Sequence, residues 1–176
     1  MKKLAILTLI SLITCFARAQ PNSSSDHKEE MKKLDFLTGS WAGEGWIQMG
    51  PQGKEDFTQT EHIQKKLDGT LLLIEGLGKD KQDESKIVHN AFAIISYDPQ
   101  KQSYEFQSYL ADGKQVSGTA KVNENTLVWG FDTPQGAKIK YSIVVDDQDQ
   151  WSETGEYSPD GTNWMKFFEM TLLKNN

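Results

Sequence analysis

From Ser40 to the C-terminus the chain is cut at near-regular intervals by turn chemistry, and the segments between the cuts alternate apolar and polar residues. The cuts are "GPQG" at 50–53, "LDGT" at 67–70, "YDPQ" at 97–100, "ADGK" at 111–114, "NEN" at 123–125, "TPQG" at 133–136, "DDQD" at 146–149 and "SPDG" at 158–161. Glycine, proline, asparagine and aspartate supply the positive φ, the fixed φ and the local side-chain hydrogen bonds that tight turns need. With the charged loop "GKDKQDESK" at 78–86 these make nine connections and therefore about ten consecutive strands. A run of sequential strands with no helix between them predicts an antiparallel up-and-down meander. Such a sheet removes its exposed edges by curling until the first strand meets the last. The expected fold is all-β: a barrel of about ten strands.

Strand phase supports a dry interior and a wet exterior. Tyr104, Phe106, Ser108 and Leu110 alternate with Glu105, Gln107 and Tyr109; Leu127, Trp129 and Phe131 share one side, as do Ile139, Tyr141 and Ile143. A lipid-facing barrel would also alternate, but here the polar residues include many lysines and glutamates and the loops are short.

Ahead of the strands, Met31, Leu34 and Leu37 recur at helical spacing through "DHKEEMKKLDFLTG", and Asp26 with Glu29 has the spacing of a capping box. This predicts one short amphipathic helix from Asp26 to near Gly39, at one mouth of the barrel. Residues 20–25 read as a polar lead. Lys2-Lys3, an apolar run from Leu4 to Phe16 and Ala17-Arg18-Ala19 have the layout of a secretory signal over residues 1–19. The apolar run is shorter than the ~20 residues that span a bilayer. The expected mature chain is one domain over 26–176, exported to the periplasm or beyond; a second reading anchors it by lipid at Cys15, which follows a loose lipobox in Leu12-Ile13-Thr14.

Charge narrows the partners. Removing Lys2, Lys3 and Arg18 with the leader takes the net charge from -6 to -9, a sign that disfavours nucleic acid and anionic lipid. Cys15 and Arg18 are the only cysteine and the only arginine. The mature chain thus has no disulfide and none of the guanidinium forks that grip phosphates and carboxylates. Its three histidines, His27, His62 and His89, form no metal-ligating pattern, and no nucleophile elbow or phosphate loop is present. No metal, catalytic residue or cofactor is expected.

What remains is a set of residues that an inward phase would gather. His89 shares a face with Ala91, Ala93, Ile95 and Tyr97, where small alanines would leave space before the imidazole. Carboxylates interrupt apolar rows at Glu75, Glu153 and Glu169, and a buried carboxylate is costly unless partnered. Trp129, Tyr141, Phe106, Trp151 and Trp164 fall at inward-compatible phases. A barrel of about ten strands encloses more volume than the eight-stranded kind that side chains can fill, so a pocket is expected, built from His89, Phe106, Trp129, Tyr141, Glu153 and Phe168.

The opening "LDFLTGSWAGEGW", with "ISYDPQKQSY" at 95–104 and "DGTNWMKFFEMTL" at 160–172, resembles a bacterial lipocalin-like family of unknown function. More distantly it resembles nitrobindin, a ten-stranded haem-binding barrel. The resemblance implies that Trp41 closes the barrel base, with Lys166 or Lys174 in place of the arginine that lipocalins lay over it. By strict alternation Gly43 and Gly45 would leave inward space above that plug. Nitrobindin's iron-ligating histidine lies near the C-terminus, and this chain has no histidine after His89, which weighs against haem. The leading expectation is a barrel that binds a small hydrophobic or aromatic molecule. Two others stay open: an enzyme pairing His89 with Glu153 or Glu169 as acid and base, and a filled barrel acting through its surface as a cell-envelope interaction module.

Overall fold

The computed structural model describes residues 23–48, 50–51 and 53–175; the expected signal segment and the start of the polar lead lie outside them. Ten antiparallel strands close into a barrel in sequence order: β1 Gly39–Ile47, β2 Glu55–Lys66, β3 Leu71–Asp80, β4 Ile87–Asp98, β5 Ser103–Leu110, β6 Gln115–Asn123, β7 Thr126–Asp132, β8 Lys138–Val145, β9 Gln150–Ser158 and β10 Met165–Asn175. Each strand pairs with its neighbours in the chain, and β1 meets β10 from Ser40 opposite Asn175 to Ile47 opposite Phe168. All nine turn signals fall in or beside the observed connections. Four of the connections use non-glycine residues at positive φ, namely Leu67 with Asp68, Gln102, Glu124 and Asp149.

The helix differs from expectation at both ends. α1 runs Ser23–Lys32 and a separate 3-10 turn follows at Asp35–Leu37. The end of the polar lead is thus helical, and Asp26 lies within α1 rather than at its cap. The break after Lys32 lets Met31, Leu34 and Leu37 all turn into the barrel end, where each is buried. The Tyr104 hydroxyl donates to the Glu30 carbonyl at 2.9 Å, and His27 Nε2 lies 3.0 Å from the Thr70 carbonyl. Lys28 pairs with Asp68 in the β2–β3 turn. These contacts fix α1 across one end.

Beneath the helix sits the plug. Trp41 is fully buried, its Nε1 donates to the Leu37 carbonyl at 2.9 Å, and its ring meets Trp151 edge-on at 5.5 Å. Lys174 Nζ lies 5.0 Å from the Trp41 ring centroid, so Lys174 takes the covering position; Lys166 pairs instead with Glu169 on the outer surface. Ile63, Leu72, Ile95, Leu127, Val145 and Leu172 complete this packed end.

Gly43 and Gly45 do face inward, but they leave no space. A Cβ on Gly43 would lie 2.1 Å from the Thr171 carbonyl oxygen, and one on Gly45 would lie 2.4 Å from that of Glu169 and 2.8 Å from the Phe57 ring. The glycines let β1 and β10 press together at the closing seam. Gly43→Ala is therefore expected to destabilise the protein by about 3 kcal/mol, the upper end for overpacking against a backbone that cannot yield. Gly53→Ala, in a loop with nothing within 4 Å, should change stability by less than ~0.5 kcal/mol. Denaturant midpoints of the two variants check this, and equal midpoints would refute the seam account.

Candidate functional site

Above the plug the barrel is hollow. A cavity of about 260 Å³ extends from the Trp151 ring toward the end opposite α1. An apolar cavity of ~150 Å³ holds one benzene ring, so this one has room for a two-ring molecule. Its wall includes all six residues singled out from the sequence: His89, Phe106, Trp129, Tyr141, Glu153 and Phe168.

One side of the wall is aromatic. Phe106 on β5 stacks on Trp129 on β7 with centroids 4.0 Å apart, and Trp129 stacks on Tyr141 on β8 at 4.6 Å. Stacking across β6 is possible because the β6 residues in between are Gly118 and Ala120, opposite Phe106 and Trp129 respectively. Phe168 approaches Tyr141 edge-on at 5.9 Å and stacks on Phe57 at 5.8 Å. Both faces of Trp129 are thus covered, and the stack presents its edges to the interior. Ring edges carry the positive end of the aromatic quadrupole.

The polar part of the wall lies on β2 and β9. The inward row of β2 is Phe57, Gln59, Glu61, Ile63. Gln59 and Glu61 lie over glycines of the neighbouring strand: a Cβ on Gly76 would meet the Glu61 carboxylate at 2.7 Å, and one on Gly78 would meet Gln59 Oε1 at 2.5 Å. Gln59 Nε2 donates to Glu61 Oε1 at 2.7 Å, while Glu61 Oε2 is buried without a hydrogen-bond partner among the described residues. On β9, Glu153 Oε2 accepts from Trp151 Nε1 at 3.2 Å. Glu61 and Glu153 are 7% and 8% exposed, and no lysine or arginine among the described residues lines the cavity.

Two buried carboxylates without a cation cannot both ionise cheaply. Burial raises Glu61 to about 7, with the Gln59 hydrogen bond opposing. Burial, then the charge on Glu61, raises Glu153 to about 8, with the Trp151 hydrogen bond opposing. Burial and the charge of Glu153 push the Tyr141 phenol up, so it keeps its proton. His89 stands at the rim, open to solvent on one side, yet the surrounding protein desolvates it enough to lower its pKa. It is neutral at pH 7. Regular alternation with Ala91 and Ala93 aims His89 inward; just beyond it β3 and β4 slip register between Gly78 and Lys79, with Val88 as the extra residue, and this bulge brings Val88 to the cavity beside His89.

Other sequence candidates lie elsewhere. Glu75 is exposed on the outer face of β3, where Leu72, Ile74, Gly76 and Gly78 form the inward row. Glu169 is also on the outer face, paired with Lys166, which removes it from any acid–base pair with His89. Trp164 precedes β10 and lies against Lys140, whose Nζ is 4.4 Å from its ring centroid, on the outer surface. Gln59 and Glu61 are the residues that sequence reasoning missed. Their signal was the alternation itself, because Phe57 and Ile63 bracket them in one row.

Proton linkage makes the carboxylates measurable. Each has a folded-state pKa above its unfolded value near 4.5, so the protonated form favours folding and stability declines as pH rises from ~4.5 through ~7 and ~8. A tenfold gain in proton affinity on folding is worth about 1.4 kcal/mol, so the two groups together contribute on the order of a few kcal/mol. Surface carboxylates such as Asp80 and Asp98, held low first by backbone N–H groups of their own turns and then by Lys86 and Lys101, act below that window. Unfolding free energy measured against pH should therefore slope downward above ~4.5 in the wild type and flatten in Glu61→Gln/Glu153→Gln; an unchanged slope in the double variant would refute it.

Among solved structures, Rv2717c from M. tuberculosis superposes with a TM-score of 0.60 at 14% identity, over 83% of this chain and 97% of that one. The S-type phycobiliprotein lyase CPES from Guillardia theta gives 0.60 at 12% identity, over 85% and 93%. At these identities the likeness is one of fold. No functionally curated protein matches the sequence. The model of the family described as "Protein of unknown function (DUF1579)" matches residues 26–174, which is nearly all of the barrel with its helix, and the chain belongs to that family.

Proposed function

We propose that this protein is an exported binding barrel that takes a small, largely apolar or aromatic molecule into the space above Trp151. The observation that supports this best is the contrast within one barrel. The end under α1 is packed solid around Trp41, whereas the other half keeps about 260 Å³ open although large aromatics line it. A barrel whose only task was its outer surface would gain by filling that volume, since each unfilled methyl-sized void costs ~1 kcal/mol. Pockets for small molecules have this composition: an apolar, aromatic wall with a few convergent polar groups. Export rests on the layout of residues 1–19.

An acid–base enzyme is the weaker reading. Of the two carboxylates that the sequence offered as partners for His89, Glu169 is outside and only Glu153 shares the cavity. Glu153 and His89 sit at different depths, the one beside the Trp151 floor and the other at the rim. No group of three or more metal-ligating side chains occurs among the described residues.

Native mass spectrometry of protein purified from its own host should show a small bound molecule, and neutral one- and two-ring aromatics should quench tryptophan fluorescence on titration. Ala91→Phe, which fills the cavity from β4, should abolish that binding while far-UV circular dichroism stays unchanged. Trp129→Ala should weaken it by about tenfold, the scale of one lost aromatic contact. An empty barrel with no quenching across such a library would sink the proposal.

A further inference from the structure

Resting on that reading, we propose that the cavity selects a cation: a small aromatic molecule bearing a protonated amine or amidine, its ring face against the edges of the Phe106–Trp129–Tyr141 stack and its N–H groups directed at Glu61 and Glu153. Three observations carry this. Glu61 Oε2 is buried and unpartnered among the described residues, and it belongs to a side chain 7% exposed on the cavity wall. Glu153 lies on the same wall and accepts only a 3.2 Å bond from Trp151. No positive side chain among the described residues reaches either one, for the cavity lining contains no lysine or arginine.

Other ligand classes fit less well. An anion would meet two acids and no cation, with only neutral His89, Gln59, Ser108 and Tyr141 to receive it. A neutral hydrogen-bond acceptor could take a proton from one carboxyl group but would leave the repulsion between the two in place. A cation placed between them offsets the burial of both charges and supplies the missing donor to Glu61 Oε2. The ring edges of the stack favour the face of an aromatic ligand, which positions its substituent toward β2 and β9 across the barrel.

The titratable groups facing the cavity are Glu61 on β2, His89 on β4, Tyr141 on β8 and Glu153 on β9. Over the range in which His89 and Tyr141 stay neutral, only the two carboxylates change charge, and both ionise as pH rises. Cation affinity should therefore rise with pH while the affinity of a neutral isostere does not.

The test compares three isosteric probes with the full-length protein by titration calorimetry: naphthylmethylammonium, naphthalenemethanol and naphthoate. Near pH 8.5 the ammonium should bind about tenfold or more tighter than the alcohol, with naphthoate weakest, and the gap should narrow near pH 6 as the carboxylates regain protons. Glu61→Gln and Glu153→Gln, which keep shape and remove charge, should each reduce the ammonium preference several-fold. The ratio of ammonium to alcohol affinity is the readout, and far-UV circular dichroism with a cooperative thermal transition reports that the fold survives. If the alcohol binds as tightly as the ammonium at both pH values, the cation preference is overturned and the binding barrel stands. If naphthoate binds best, the preference is overturned in sign. If none of the three binds and Ala91→Phe behaves as the wild type, both readings fall together.

Discussion

The seam between β1 and β10 governs the rest of this structure. Ten strands in sequence order form a barrel only if the first and last pair along their length, and here they do so with two inward positions of β1, Gly43 and Gly45, reduced to hydrogen. With a 2.1 Å approach between a Gly43 Cβ and the Thr171 oxygen, no other residue is compatible with that closeness. The same seam carries Trp41 at its base beside Trp151 and Lys174, which is where α1 docks. It also fixes the separation along the wall of β2 and β9, the strands on either side of the pair. Closure, plug and acidic wall are thus consequences of one backbone contact.

Glycine serves two different ends in this interior. On β1 it admits backbone, and the barrel tightens. On β3, Gly76 and Gly78 admit the side chains of Gln59 and Glu61, and a polar shelf is held against the wall where two larger residues would have displaced it. Gly118 on β6 likewise admits backbone, a Cβ there lying 2.1 Å from the Gly130 oxygen, and it leaves no side chain between Phe106 and Trp129. The cavity is what remains once these small residues have been occupied by their neighbours: the space lies in front of the alanines of β4 and above Trp151, and not above Gly43.

Much of this was legible in the sequence. The turn chemistry gives the strand count, since proline, glycine and asparagine clusters act through local backbone geometry that needs no tertiary partner. The inward rows of β5, β7, β8 and β9 follow from alternation, because on those strands only one face is apolar, and so Phe106, Trp129, Tyr141 and Glu153 could be placed together. Where both faces look alike the reading is ambiguous: β3 carries leucines on its outer face, so Glu75 shared a row with apolar residues and still points outward. Around Phe167 the ladder slips by one residue, and alternation cannot be carried past such a slip. Glu61 was hidden for the opposite reason. In "TQTEHIQKK" polar residues occupy both faces, and a charge is read as solvated unless the neighbouring strand shows a glycine floor for it, which is information about pairing and not about the segment.

The two carboxylates also bear on why such a cavity is tolerated. A hollow apolar barrel loses contacts, and a hollow barrel with buried acids loses solvation as well; near neutral pH the second loss is limited because Glu61 and Glu153 can retain protons at about 7 and about 8. The empty state is thereby neutral enough to persist, while the ionised state is the one with unmet demand for positive charge. Under the proposed cation selectivity, filling the cavity with a cation and lowering its proton count are coupled through the same two side chains.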